Sequence, residues 1–350
     1  VHDLTLNVIY TRGTVRSLSF LLWSMLDHSE CRFRLVANGC TPAEAAFLRR
    51  FAEQSPRLSF LMLPSKLVMA HGQALNYLQA ATAGRRFGFL DSDIFAVEPL
   101  PGRMLDTFVG PRVCFCYPST VISSNEATAL ANVEGISCTY LSVYDNAAVT
   151  RFIQSTGIGF DKYDWAEVPP EQKERLIRMD ARKLRYDTGQ LLSLLMLEPG
   201  EQPLIVESPQ LVHIGGFSRT VFNEQRAEHR AKHPNKTARQ LIKLRLKSLM
   251  AEVFKKPHVR RSQLAWSEAE RAAKEAHNRK KRAVGQYFDT LFESLFAGSP
   301  LPEPPDTADA AVDEKVQEAA RGITTLFERH GRHHLGNVEP EFYRETVRRR

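Results

Sequence analysis

The first 95 residues or so alternate between short apolar, β-branched segments and longer segments whose apolar residues recur every three or four positions. Leu4 to Tyr10 predicts a strand. Val15, Leu18, Leu22, Met25 and Leu26 then share one helical face. Arg32 to Ala37 predicts a second strand, and Thr41 as N-cap before Pro42 opens a helix through about Gln54. Leu58 to Leu63 is a third strand, closed by Pro64. Gly72 to Ala83, rich in Ala, Leu and Gln, predicts a helix ended by Gly84. Phe87 to Leu90 is a fourth strand, with Asp91 at its carboxyl end. Alternation with connections this short predicts an α/β fold built on parallel strands with right-handed crossovers. Ligands of such sheets bind beyond the carboxyl ends of the strands. The loops after Tyr10, Ala37, Leu63 and Leu90 therefore share the edge where chemistry is expected.

The rest of the chain is less regular. Arg112 to Tyr117 predicts a strand, Asp187 to Leu197 a helix, and Leu204 to Val206 and Leu211 to His213 two short strands. From about residue 219 the sequence is helical, basic and poor in glycine. Residues 298–309 (GSPLPEPPDTAD) have linker composition. A last amphipathic helix is expected from Val312 to Arg329, followed by a frayed terminus holding His330, His333, His334 and three closing arginines. The expected organisation is a catalytic domain over 1–218, a basic helical region over 219–297, and a linker, short helix and tail over 298–350.

Charge sharpens that division. The net charge is +7, but residues 219–285 carry 19 Lys/Arg against 6 Asp/Glu, a net of +13, leaving −6 for the remainder. No apolar run approaches the roughly 18 residues that would span a bilayer, and no signal peptide is visible. The five cysteines are Cys31, Cys40, Cys114, Cys116 and Cys138. They are scattered and odd in number, so free structural thiols in a reducing compartment are expected.

Asp91-Ser92-Asp93 is the main chemical signal. Two carboxylates separated by one residue, just past an apolar strand, can both face a hard divalent cation such as Mn²⁺ or Mg²⁺, which keeps places for phosphate oxygens. An isolated D-x-D is more often a solvated turn, but the position after the fourth strand of an alternating array favours the metal.

Residues 71–101 (HGQALNYLQAATAGRRFGFLDSDIFAVEPLP) resemble the family 2 glycosyltransferases, which share a Gly-x-x-x-Asn helix, a Gly-led strand and a D-x-D followed by proline. Tyr10-Thr11-Arg12-Gly13 is similar to that family's first nucleotide-contacting loop. Val36-Ala37-Asn38-Gly39-Cys40 is similar to its second-strand motif, with Ala37 where the family often has an acid. The resemblance covers the first 100 residues or so. It implies a GT-A (Rossmann-like) mixed sheet flanked by helices, here with a helical, basic C-terminal region. It implies that Asp91 and Asp93 hold the metal and that Asp91 and Ser92 lie against the donor. Thr11, Arg12 and Asn38 would surround the nucleotide, and His71, Gly72 and Asn76 the diphosphate-sugar side. For His71 the rival reading is a water-exposed helix start, and for Asn76 a helix-surface residue.

Three later signals fit the same frame. His213 ends an apolar strand just before Gly215 and Gly216, which let the backbone turn close past a ligand. Many GT-A enzymes supply a late histidine as a third metal ligand, and imidazole would favour Mn²⁺ over Mg²⁺. Otherwise His213 is a buried, hydrogen-bonded histidine. Asp187-Thr188-Gly189 precedes an apolar helix, so Asp187 is either its N-cap or the catalytic base that takes the acceptor's proton. Asp145, Asp161 and Asp164 are weaker candidates for that base. Finally, Ile242, Leu246, Leu249, Met250 and Val253 form an apolar stripe with Lys243, Lys247 and Lys255 off it. A basic amphipathic helix of this kind lies on an anionic membrane surface or packs on the catalytic domain with a solvated basic face.

The expected activity is metal-dependent transfer of a hexose from a UDP- or GDP-linked donor to a hydroxyl on a glycan or lipid. Inversion is expected, and so is a cytoplasmic location peripheral to the membrane. A nucleotidyltransferase would need a longer, Gly-rich loop than Thr11-Arg12-Gly13-Thr14. An inactive scaffold working through the basic helices is the rival outside the enzymes. Nucleic acid ranks last as a partner, because aromatics are sparse in the basic tract.

Overall fold

The computed structural model describes residues 4–65, 67–100, 113–122, 140–197, 204–215, 217 and 268–336. In chain order the first elements are β1 (Thr5–Thr11), α1 (Val15–His28), β2 (Arg32–Asn38), α2 (Pro42–Ala52), β3 (Leu58–Met62), α3 (His71–Ala80), β4 (Arg86–Leu90), β5 (Ile94–Ala96) and β6 (Val113–Thr120). There follow β7 (Leu141–Asp145), α4 (Asn146–Thr156), β8 (Tyr163–Asp164), α5 (Pro170–Arg178), β9 (Arg185–Tyr186), α6 (Gln190–Met196) and β10 (Leu204–His213). Two long helices complete the described chain, α7 (Glu268–Ala297) and α8 (Ala310–Gly336). The basic stripe from Ile242 to Lys255 lies outside the described residues, as do Gly216, Cys138 and the closing arginines.

Eight strands form one sheet in the order β3-β2-β1-β4-β7-β6-β10-β5, and β8 and β9 pair as a separate two-stranded ribbon. The pairs β1/β2, β2/β3, β1/β4 and β6/β10 are parallel. The pairs β4/β7, β6/β7 and β5/β10 are antiparallel. The sheet is therefore mixed, with β7 and β5 running against the other six. This is the α/β class expected, with two strands that the sequence left unseen: β5, only three residues long, and β7.

Side chains alternate between the two faces as strand geometry requires. Leu6, Val8 and Tyr10 of β1, and Cys114 and Cys116 of β6, belong to one core cluster with residues of α1, α2, α7 and α8. Phe87 and Phe89 of β4, and Val113 and Phe115 of β6, belong to a second cluster with α3, α4 and α6. The helix starts follow local chemistry. Thr41 and Glu44 form a reciprocal capping box ahead of Pro42, and Asp145 caps α4 by accepting from Ala148 N–H at 2.8 Å.

Several expectations are corrected. The strands at Leu204–Val206 and Leu211–His213 are one ten-residue strand whose register against β6 shifts between Ser208 and Val212. Asp187 does not cap α6, because that helix begins at Gln190 with Gly189 before it at φ 70°. The terminus around His330, His333 and His334 is not frayed. α8 runs to Gly336, and its buried stripe Val316, Ala319, Ile323, Leu326 ends on a buried His334. Both α7 and α8 bury apolar residues in the core shared with α1.

Candidate functional site

After β3 the chain returns to the far side of β1 to lay down β4. The strand order reverses there, which opens the crevice where open α/β sheets bind ligands. Asp91 leaves the end of β4 into a tight turn, in which Ile94 N–H donates to Asp91 O at 3.2 Å. β5 then runs back antiparallel to the end of β10, pairing Ile94 with His213. Two segments 120 or so residues apart in sequence are thereby joined, and Ile214 N–H donates to Asp93 O at 3.0 Å.

The side chains converge as well. One ligand atom from each of Asp91, Asp93 and His213 falls within 4.8 Å of the others. His213 Nε2 lies 3.2 Å from Asp93 Oδ1, and Phe217 N–H donates to Asp93 Oδ2 at 3.4 Å. The imidazole packs on Tyr140 with ring centroids 4.6 Å apart. His213 Nδ1 is buried with no hydrogen-bond partner among the described residues. Burial, then the charges of Asp93 and Asp187, push the Asp91 carboxyl well above its ordinary range. Burial acts on Asp93 in the same direction, but the His213 charge and hydrogen bond and the Phe217 N–H more than offset it. A half-buried and a buried carboxylate side by side, with an imidazole that has an unsatisfied nitrogen, make a site short of positive charge. Two hard oxygens and one nitrogen fit Mn²⁺ or Mg²⁺. Ser92 is buried between the two acids.

On the α3 side of the crevice stand His71 and Asp187. His71 is half-buried at the start of α3, with its ring edge-on to Phe89 at 6.3 Å. Burial brings its pKa down to about 4, with Lys162 acting in the same sense against the pull of Asp187 and Asp93. The ring is therefore neutral near pH 7. Asp187 follows β9, accepts from Thr188 N–H at 2.8 Å, and is ion-paired with Lys162 at 2.5 Å. Burial would raise the Asp187 carboxyl, but hydrogen bonding and charge from Lys162, the Thr188 N–H and His71 hold it below the usual carboxylate range. Lys162 was not singled out in the sequence, where it belongs to no motif.

The remaining predicted site residues have definite places. Thr11 ends β1 and its N–H donates to Thr14 Oγ1 at 3.2 Å, while Arg12 is exposed at the mouth of that loop. Asn38 is buried, and both ends of its amide hold Met69: Nδ2 donates to Met69 O at 3.0 Å and Oδ1 accepts from Met69 N–H at 2.8 Å. Asn76 Oδ1 accepts from Phe160 N–H at 2.7 Å, and its Nδ2 donates to Asp161 Oδ2 at 2.7 Å. A Cβ on Gly72 would lie 2.6 Å from both Phe160 O and Asp161 Cα. Asn38 and Asn76 thus hold neighbouring loops by hydrogen bonds, and Gly72 packs closely against the second of them. The weaker base candidates are also engaged: Asp145 as a cap, Asp161 by Asn76, and Asp164 with Arg185 at 3.5 Å.

No family model and no curated protein matches the chain. Among solved structures it is similar to a mannosyltransferase from Pyrobaculum calidifontis in complex with GDP-Man and Mn²⁺, at 14% identity over 97% of this chain and 87% of that one, with a TM-score of 0.38. It is similar to the galactosyltransferase LgtC in complex with donor and acceptor sugar analogues, at 10% identity over 61% of this chain and 87% of that one, TM-score 0.36. It is similar also to the glycosyltransferase GlyE of Streptococcus pneumoniae, at 11% identity over 60% and 53% of the two chains, TM-score 0.35. Likeness at that level carries no weight for activity, which rests on the crevice itself.

Proposed function

We propose that the chain is a metal-dependent glycosyltransferase of the GT-A type, which moves a sugar from a nucleotide-diphosphate donor to a hydroxyl acceptor. The observation that carries this reading is the meeting of Asp91, Asp93 and His213 at the carboxyl edge of the sheet, beside the strand-order reversal. These three residues would hold Mn²⁺ or Mg²⁺. When bound, the cation supplies charge neutralisation for the departing diphosphate. Thr11 and Arg12 take the nucleotide end of the crevice. Asn38, Gly72 and Asn76 serve it indirectly, by fixing the loops on either side.

Asp187 is the proposed base. The acceptor oxygen bonds to the anomeric carbon as the bond from that carbon to the diphosphate breaks. The diphosphate leaves with the electron pair, and the hydroxyl proton passes to Asp187. A carboxylate held low in pKa is a weak base, but the attacking hydroxyl becomes strongly acidic as its new bond forms, so a well-placed weak base suffices. Neutral His71 adds no positive charge beside the cation. Inversion, a glycan or lipid acceptor, and peripheral contact with an anionic membrane through the basic tract complete the proposal; the unit bounded near 218 in sequence would include α7 and α8, which share its core.

Calorimetric titration of UDP and GDP, with and without Mn²⁺, on wild type and Asp93→Ala tests it. The expected result is metal-dependent binding of one nucleotide that is lost in the variant. Failure of both nucleotides to bind under any metal would overturn the assignment and bring the scaffold reading forward.

A further inference from the structure

The segment that carries Lys162 is fastened from several sides. Asn76 holds Phe160 and Asp161, as described above. Gly189 N–H donates to Phe160 O at 2.9 Å, and Gly159 N–H donates to Tyr163 Oη at 3.0 Å. Gly72 lets the backbone of α3 pass against the same loop. Lys162 therefore leaves a fixed backbone immediately before β8. In the antiparallel ribbon Tyr163 pairs with Tyr186 and Asp164 with Arg185. Continuing that register by one residue sets Lys162 opposite Asp187, so the 2.5 Å contact is a cross-strand pair.

Its placement argues for orientation over stability. The two side chains are 50% and 43% exposed, and ion pairs that wet contribute little to folding. Yet Asp187 is close enough to Asp91 for the two charges to act on one another. Without a counter-charge, a third carboxylate there would be repelled and would swing toward water. We infer that Lys162 is a positioning residue of this site: it pins the Asp187 carboxylate in one orientation beside the Asp91–Asp93 pair and balances its charge, so that three carboxylates share one rim. The inference rests on the transferase reading for its catalytic meaning, though not for the ion pair itself.

Four variants test it: Lys162→Met, Lys162→Arg, Asp187→Asn and the double Lys162→Met/Asp187→Asn. The first readout is nucleotide release from a panel of UDP- and GDP-linked hexoses with Mn²⁺. The second is calorimetric binding of UDP and GDP. Lys162→Met is expected to lower kcat roughly ten- to hundredfold, as mispositioned catalytic groups do, while metal-dependent nucleotide binding stays at the wild-type level. Lys162→Arg should recover most of the rate. The double variant should be no slower than Asp187→Asn alone, since the lysine acts through that carboxylate. Wild-type kcat in Lys162→Met, or losses that multiply in the double variant, would overturn the inference. If the wild type turns over no donor, the transferase reading fails and the pair is judged on its own. The ¹³Cγ resonance of Asp187 in ¹³C-aspartate-labelled protein, assigned by its loss in Asp187→Asn, then decides. It moves in Lys162→Met if the lysine holds the carboxylate and stays put if it does not.

Discussion

His334 gives the fold a calculable weakness toward acid. Its side chain lies in the last turns of α8 and is 1% exposed. Trp23 Nε1–H donates to its Nδ1 at 3.2 Å, and its Nε2 faces the Arg16 carbonyl at 3.3 Å, so the ring is the neutral Nε2–H tautomer. Phe20, Phe47, Phe51 and Phe296 surround it. Burial moves its pKa from 6.5 to about 3. The hydrogen bond to Arg16 O opposes that shift, and the charges of Arg16, His333 and His330 reinforce it. In the unfolded chain the ring takes up a proton below about pH 6.5, whereas in the folded chain it stays neutral down to about pH 3. Across that window the unfolded state binds the extra proton. Stability therefore falls as pH falls, by up to about 1.4 kcal/mol per unit. Between pH 7 and pH 5 this one group should remove about 2 kcal/mol. The assay is urea denaturation followed by far-ultraviolet circular dichroism at both pH values, for wild type and His334→Gln. The glutamine keeps one donor and one acceptor but cannot ionise, and every other titrating group is common to both proteins. The wild type should lose about 2 kcal/mol more than the variant over this interval. Equal losses in the two proteins would refute the reasoning.

Asp91→Asn removes a half-buried acid whose ionised form is disfavoured by desolvation and by Asp93. Without metal it should stabilise the protein by about 1 kcal/mol, while abolishing the rise in melting temperature that Mn²⁺ gives the wild type. Scanning fluorimetry with and without Mn²⁺ reads both. Gly72→Ala places a methyl 2.6 Å from backbone atoms of Phe160 and Asp161, and should cost about 1–3 kcal/mol in urea denaturation. Asn38→Ala leaves both backbone groups of Met69 without their partners. It should cost about 1–3 kcal/mol and speed proteolytic cleavage between residues 63 and 70.

The first half of the sheet was legible because each of its strands is a run of apolar residues bracketed by turn signals, and each helix between them has a clear buried face. Asp91 and Asp93 could be placed for the same reason: a carboxylate at the end of the fourth such strand can only lie at the carboxyl edge. β5 escaped notice because it is only three residues long, and β7 because it lies outside the strand–helix alternation and runs against its neighbours. Their pairing comes from partners far off in sequence, and no local pattern encodes that. α8 was misread for a different reason. Its stripe of Val316, Ala319, Ile323 and Leu326 continues at the same spacing through His330 and His334. Treating histidine as a polar residue ended the helix at Arg329, when His334 is in fact part of the apolar face. Lys162 left no local signal, since what defines it is a cross-strand register between two-residue strands.

Residues chosen from sequence as ligand contacts divide according to how far the protein itself uses their polar atoms. Asn38 and Asn76 have the residue types and positions of donor contacts, yet each amide has both its donor and its acceptor engaged by nearby chain. An amide so engaged fixes a loop, and recruiting it for a ligand would break a bond already made. Burial and the charge of Asp93 disfavour the ionised carboxylate of Asp91, and His213 Nδ1 is buried without a partner among the described residues. Folding has thus gathered beside Asp93 a second acid whose charge is disfavoured and an imidazole nitrogen that the described protein does not satisfy. Such an arrangement costs stability and persists where a ligand supplies what is lacking. The same criterion separates Asp187 from Asp145, Asp161 and Asp164. Those three carboxylates serve as a helix cap, a loop tie and a ribbon salt bridge. Asp187 is held by a lysine on a fixed loop, remains 43% exposed, and stands within electrostatic reach of Asp91.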